Sequence, residues 1–218
     1  MKLHRNSQKR LYVPDGIYFI TTNTYDRYPY FKNDILCELF LETLNFTSLI
    51  KEFNLHGFAI NLEHIHLLIE PTGKYNYSEI MGTLKRNFSR DCNDLMLGKN
   101  FLRSGGEGVI QETGSLVQRF QRKYIDIRGN QYFIDHLSRL AGLQAQFFDK
   151  NDDDFARVRF KWQSSFRDHL IKDETDYLNH MNYILKQPIK HQLPGRKWYW
   201  ATEESGDETD YRYSKNRN

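Results

Sequence analysis

Only two cysteines, Cys37 and Cys92, occur in the 218 residues. Both fall inside helical patterns and lack metal-ligand spacing, so a disulfide framework and a thiolate metal centre are not expected, and both thiols are assigned to the interior. Nor does any apolar run reach the length of a membrane span. A basic residue, Lys2, follows Met1, but Pro14, Asp15 and Gly16 interrupt the segment before an apolar signal core can form, which reads as a cytoplasmic protein. Net charge is also scarce: 31 Lys and Arg against 28 Asp and Glu leave +3, too little to demand a polyanionic partner.

The distribution of charge says more than its sum. Residues 1–12 carry four cations and no acid, whereas acids gather at Asp152, Asp153 and Asp154 and again from Glu203 to Asp210. The aspartate run is read as a solvated loop, because sequence neighbours do not converge on one ion without a special turn. Aromatics reach 15%, fourteen of them tyrosine. Rings beside Lys and Arg suit unstacked bases, although core packing accounts for most of them.

Residues 16–26, rich in β-branched and aromatic side chains after a Pro-Asp-Gly turn, read as a strand. Asn33 or Asp34 caps a helix to about Phe53, and Leu55 to Ile60 is a second strand. A third strand begins at His64, and Ser78 opens a helix to about Leu97 whose flank carries Lys85, Arg86 and Arg90 as candidate phosphate contacts. Residues 98–157 interrupt the pattern as an insertion with a helical piece near 131–148. Val158 to Ile171 is then a strand candidate, and Asp173 starts a last helix that Pro188 ends. One domain over 1–200 is expected, with its core at about 16–97 and 158–200 and a disordered tail at 201–218.

Two stretches carry chemistry. On a strand, the period of two sets His64 and His66 on one face, about 6–7 Å apart, with Ile65, Leu67 and Ile69 on the other. Such a pair grips a metal in some proteins and is plain hydrogen-bonded structure in others. On the last helix Tyr177, Met181, Ile184 and Leu185 make the apolar stripe. Asp176, His180, Tyr183 and Gln187 make a polar one, with the amide of Gln187 one turn beyond the Tyr183 phenol. A tyrosine meant for the core belongs among the first set.

LEHIHLLIEP at 62–71 resembles the histidine, hydrophobic, histidine (HUH) motif of single-tyrosine transposases. FKWQSSFRDHLIKDETDYLNHMNYILKQPIKH and YSEIMGTLKRNFSRDCN are similar to segments of the REP-associated tyrosine transposase branch. The resemblance covers about 16–97 and 158–200. It implies an α+β, ferredoxin-like antiparallel sheet with helices on one side, and cleavage and rejoining of single-stranded DNA near a hairpin. It further implies His64, His66 and Gln187 as ligands of Mg²⁺ or Mn²⁺ and Tyr183 as the nucleophile that forms a 5′-phosphotyrosine. Gln187-Pro188 replaces the family's common Asn-Pro, and 98–157 exceeds its short connection.

His169, in the matching FRDH segment, and His180, three residues before Tyr183, are auxiliary candidates. Monomer and homodimer both stay open. The rival readings are a non-catalytic hairpin-binding descendant of the same fold and a hydrolase in which the two histidines activate water.

Overall fold

The computed structural model describes residues 10–96, 129–149, 159–193 and 195–202. In chain order they form β1 (Tyr18–Asn23), α1 (Asp34–Lys51), β2 (Phe53–Ile60), β3 (His64–Pro71) and α2 (Tyr77–Met96). There follow α3 (Gly129–Asp149), β4 (Arg167–Leu170), α4 (Glu174–Leu185), a one-turn α5 (Gln187–Lys190) and β5 (Tyr199–Ala201).

Local chemistry sets the helix ends. The Asn33 side chain accepts from the Ile35 N–H at 2.9 Å and caps α1. Asn76 and Glu79 form a reciprocal box on α2, each side chain accepting from the other's backbone N–H. Asp173 caps α4 by accepting from the Asp176 N–H at 2.8 Å. At the end of α1, Glu52 takes a left-handed φ of 49°. Its carbonyl then accepts from the Thr72 and Gly73 N–H groups, tying the helix end to the end of β3.

The five strands lie in the order β4-β1-β3-β2-β5 with every neighbouring pair antiparallel. This is the α+β, ferredoxin-like arrangement expected from the sequence, extended by β5 on the outer edge of β2. Tyr18 and Ile20 of β1 and Ile65, Leu67 and Ile69 of β3 point to one face, where α1 and α2 close the main core. Phe31, Phe40, Phe88 and Phe160 fill it, so many of the aromatics are indeed packing. Trp198 docks there too, donating its indole N–H to Asp34 at 2.6 Å.

Helices occupy both faces of the sheet, not one. On the second face Ala59, Leu68, Met181, Ile184 and Ala201 form a small separate cluster that seats α4. Leu185, expected in the buried stripe, is 44% exposed, because the helix breaks at Lys186 and Pro188 lies in the first turn of α5 rather than ending the helical path.

The expected strand over 158–171 shrinks to Arg167–Leu170. Ahead of it the backbone divides its partners between α2 and the end of β1, where the Gln163 N–H donates to the Asn23 carbonyl at 2.9 Å. The Phe160 N–H donates to Asn93 at 2.8 Å, and Lys85 Nζ donates to the carbonyls of Gln163 and Ser165. Thr24 and Trp162 share one isolated bridge.

The helical piece expected in the insertion is α3, which packs on α1 and α2, on the sheet face opposite α4. His136 stacks on Phe46 with ring centroids 4.3 Å apart and reaches Glu42 at 2.8 Å, while Arg139 holds the other carboxylate oxygen at 2.7 Å. The expected loop at 103–108, the aspartate run and the tail beyond Thr202 lie outside the described residues.

Burial pushes the Glu42 carboxyl up, but the hydrogen bonds and charges of His136 and Arg139 outweigh it and hold the group below its ordinary value. Its stabilising effect is therefore present above the unfolded carboxyl range and disappears as pH falls through the folded value. Glu42→Gln is expected to cost about 1–3 kcal/mol at pH 7. Urea denaturation at pH 7 and at lower pH checks this: the gap to wild type narrows as pH drops below about 4.

Candidate active site

β3 runs between β1 and β2, and its alternation delivers His64 and His66 to the α4 face, with ring centroids 4.9 Å apart. Both rings are buried. His64 Nδ1 lies 2.9 Å from Glu63 Oε1, and its Nε2 accepts from the Asn61 amide at 3.0 Å. These partners select the tautomer with the proton on Nδ1. Thr21, paired with His66 across the β1–β3 ladder, holds His66 Nδ1 at 2.8 Å. His66 Nε2 is buried and has no hydrogen-bond partner among the described residues.

Gln187 is buried to 1% exposure under α5. Its Oε1 accepts from the Asn61 amide at 3.1 Å, and its Nε2 donates back to the Tyr183 carbonyl at 3.1 Å, so the one-turn spacing read from the sequence is realised as a bond. His64 Nε2 and Gln187 Oε1 thus converge on one amide nitrogen, and the buried His66 Nε2 has no geometric hydrogen-bond partner among the described residues. Two imidazole lone pairs and an amide oxygen are donor types that a small divalent cation takes, and Glu63 and Thr21 hold the two rings by their other nitrogens.

Electrostatics keep the imidazoles neutral. Burial lowers the affinity of both for protons. His66 is pushed down to about 3, with the charges of His64, Lys190 and His191 adding to the effect and the Gln187 side chain opposing it. His64 is lowered by the same cause, partly offset by Glu63. Neutral rings keep their lone pairs available to a metal.

Tyr183 stands on the last turn of α4, 36% exposed. Its ring meets His66 edge-on at 5.2 Å and Phe19 edge-on at 5.7 Å. Lys190 of α5 donates to the Tyr183 hydroxyl at 2.9 Å. The phenol therefore lies beside the histidine pair with its oxygen against an ammonium, not inside the apolar interior. Lys190 was not among the residues singled out in the sequence. Its signal was a spacing of seven from Tyr183, two helical turns, which the break at Lys186 makes harder to read. Asn61, Glu63 and Thr21 were missed as well; only the fold brings Asn61 to Gln187 or Thr21 to His66.

The auxiliary histidines meet each other rather than the phenol. His169 on β4 and His180 on α4 both reach the Asp176 carboxylate, at 2.8 and 3.1 Å. The three candidate phosphate contacts on α2 have separate fates. Lys85 is half-buried against the 163–165 carbonyls, and burial, with the charge of Arg10, pushes it down to about 8. Arg90 pairs with Asp91 at 2.8 Å. Arg86 is exposed and lines an open groove of about 690 Å³ with Arg10, Lys85, Arg159, Lys161 and Trp162, in which no acidic residue takes part among the described residues.

A ferredoxin-like sheet with a histidine pair on its central strand and a helix-borne tyrosine beside them is the arrangement expected of an IS200-like tyrosine transposase, the enzyme class that the sequence resembles. The family described as "Transposase IS200 like" matches residues 13–102, from the approach to β1 through α2, which includes both histidines. Within that class the resemblance is to the REP-associated branch. The chain is 25% identical over 187 residues to the "Putative REP-associated tyrosine transposase" of Haemophilus influenzae, covering 85% of this chain and 77% of that one. Among solved structures it matches the REP-associated tyrosine transposase bound to a REP hairpin with a TM-score of 0.53. The identity there is 15%, covering 87% of this chain and 76% of the other, a likeness of fold. Among the described residues no helix is long and apolar enough to cross a membrane.

The Thr21 hydroxyl is the only described hydrogen-bond partner of His66, on a ring whose other nitrogen already has none. Thr21→Val, close in shape, is expected to lower unfolding stability by about 1–3 kcal/mol, as leaving a buried polar atom unpaired does. A shift in the urea midpoint without a change in slope is the readout.

Proposed function

We propose that the chain cleaves and rejoins single-stranded DNA beside a hairpin, with Tyr183 as the nucleophile. The observation that carries this reading is the Tyr183 ring edge-on to His66 at 5.2 Å, part-exposed, its hydroxyl paired with Lys190. A tyrosine kept for packing would have no reason to bring its oxygen to a cation in solvent.

In the reaction the Tyr183 oxygen bonds to phosphorus as the bond from phosphorus to the 3′ oxygen breaks. The products are a 5′-phosphotyrosine and a free 3′-OH, with the phenolic proton lost and one taken up by the leaving oxygen. A free phenol is mostly protonated near neutrality and is a weak nucleophile. The Lys190 ammonium at 2.9 Å offsets the charge that develops on the attacking oxygen. The covalent link conserves the phosphodiester energy, so the 3′-OH of another strand reverses the step without ATP.

His64, His66 and Gln187 would hold Mg²⁺ or Mn²⁺, which when bound draws charge from a scissile phosphate. The orphaned His66 nitrogen and the converging His64 and Gln187 atoms support that donor set.

The cationic groove between α2 and residues 159–166, with Trp162 beside it, suits a phosphate backbone next to an unstacked base. A hairpin partner is supported by the solved relative's REP hairpin. Arg86 is the candidate contact with its charge uncommitted among the described residues. Lys85 serves chiefly to hold the 163–165 turn, and Arg90 its neighbour Asp91.

Incubating labelled single-stranded hairpins with Mg²⁺ or Mn²⁺ and running a denaturing gel tests the chemistry. Wild type is expected to form a covalent protein–DNA band that Tyr183→Phe loses while hairpin binding stays. Lys190→Met is expected to slow adduct formation by about 10–100-fold. Adduct from the Tyr183→Phe variant, or free 5′-phosphate ends without adduct from wild type, overturns the assignment. Separately, Arg86→Ala is expected to weaken hairpin binding and to reduce the slope of log K against log salt by about 1.

A further inference from the structure

One cluster lies outside this chemistry. His169 of β4 and Asp176 and His180 of α4 present three ligand-type atoms within 4.8 Å of one another. His169 Nε2 is 2.8 Å from Asp176 Oδ2, and His180 Nδ1 is 3.1 Å from Oδ1. The two imidazoles stack at 4.8 Å with an angle of 22° between planes, so both rings turn an edge to the same carboxylate.

We infer that His169, Asp176 and His180 form a second divalent-cation site, of Zn²⁺ type, that staples β4 to the first turns of the helix carrying Tyr183. The donor set is two imidazoles and a carboxylate, the composition of open zinc sites, and imidazole favours Zn²⁺ over Mg²⁺. Tetrahedral bonds of about 2.0–2.1 Å set ligand atoms about 3.3 Å apart, so the two contacts at 2.8 and 3.1 Å need only small adjustment. For each ring to ligate, its proton sits on the other ring nitrogen, which leaves His169 Nε2 and His180 Nδ1 as lone-pair donors to the cation. His180 Nδ1 gives up its shared bond to the Asp176 carbonyl at 2.8 Å, while the Lys172 N–H stays on Oδ2 at 3.0 Å. The side chains are 40%, 20% and 21% exposed, which leaves an entry path and a fourth position for water or a phosphate oxygen.

The site shares no ligand with the first. Phe19 separates them, its ring centroid 5.2 Å from that of His66 and 4.6 Å from that of His180. β4 and α4 are joined along the chain by residues 171–173, so a metal clamp here fixes the first turns of the helix whose last turn presents the phenol.

Chelator-treated full-length protein is titrated with Zn²⁺ by calorimetry, and with Co²⁺ by visible absorption, for wild type, His64→Ala/His66→Ala, Asp176→Asn and His169→Gln. The expected result is one equivalent, with a rise in melting temperature, that persists in His64→Ala/His66→Ala and disappears from both Asp176→Asn and His169→Gln. Asp176→Asn keeps the size of the side chain and an acceptor oxygen, so its loss of binding reports the ligand set rather than the fold. Equal binding by wild type, Asp176→Asn and His169→Gln overturns the inference. Loss of every equivalent from His64→Ala/His66→Ala does so as well. Neither outcome bears on Tyr183, whose adduct is read separately.

Discussion

Burial of β3 from both sides is the constraint on which the rest depends. One face, Ile65, Leu67 and Ile69, is held by α1 and α2 in the main core, and the other carries His64, His66 and Leu68 under α4. The same burial that stabilises the strand also drives the imidazoles to neutrality. Folding and ligand readiness therefore come from one cause: removing this strand from water makes a protonated ring costly and leaves a lone pair for a cation. The cost is a His66 nitrogen with no hydrogen-bond partner among the described residues, the kind of local misfit that collects at working sites.

The nucleophile's position depends on a much smaller contact. A cluster of Ala59, Leu68, Met181, Ile184 and Ala201 seats α4, and Ala201 belongs to β5, the last element of the sheet. The break at Lys186 then turns α5 so that Gln187 dips inward while Lys190 swings back to the Tyr183 oxygen. Metal-ligand candidate and phenol are thus joined through a few side chains and one backbone bond, from Gln187 to the Tyr183 carbonyl. By contrast, α3 is anchored through Glu42 on the opposite face, so the described part of the insertion braces the scaffold and does not roof the site.

Much of the site was legible because it is periodic. The H-x-H spacing assigned both histidines to one side of a strand, and the interval from Tyr183 to Gln187 assigned phenol and amide to one turn of a helix. The helices at 34–51 and 77–96 were legible from apolar spacing, the first also from its Asn33 cap, whereas Asn76 rather than Ser78 caps the second. Residues 159–166 were not, because their aromatic, β-rich composition is shared by strands and by core-filling loops, and Asn93 and Lys85 of α2 take up several of the backbone groups that a longer strand would have paired. Leu185 failed for a related reason: its place in the apolar stripe assumed a helix continuing past Lys186.

By itself, then, the order of residues determined which side chains share a face, since the repeat of a strand or helix is a local property of the backbone. Only the tertiary structure decided which faces meet: that Asn61 reaches Gln187 across 126 positions, and that Thr21 backs His66 across 45. Such pairings arise from how layers pack and where strands register, and no window along the chain contains both partners.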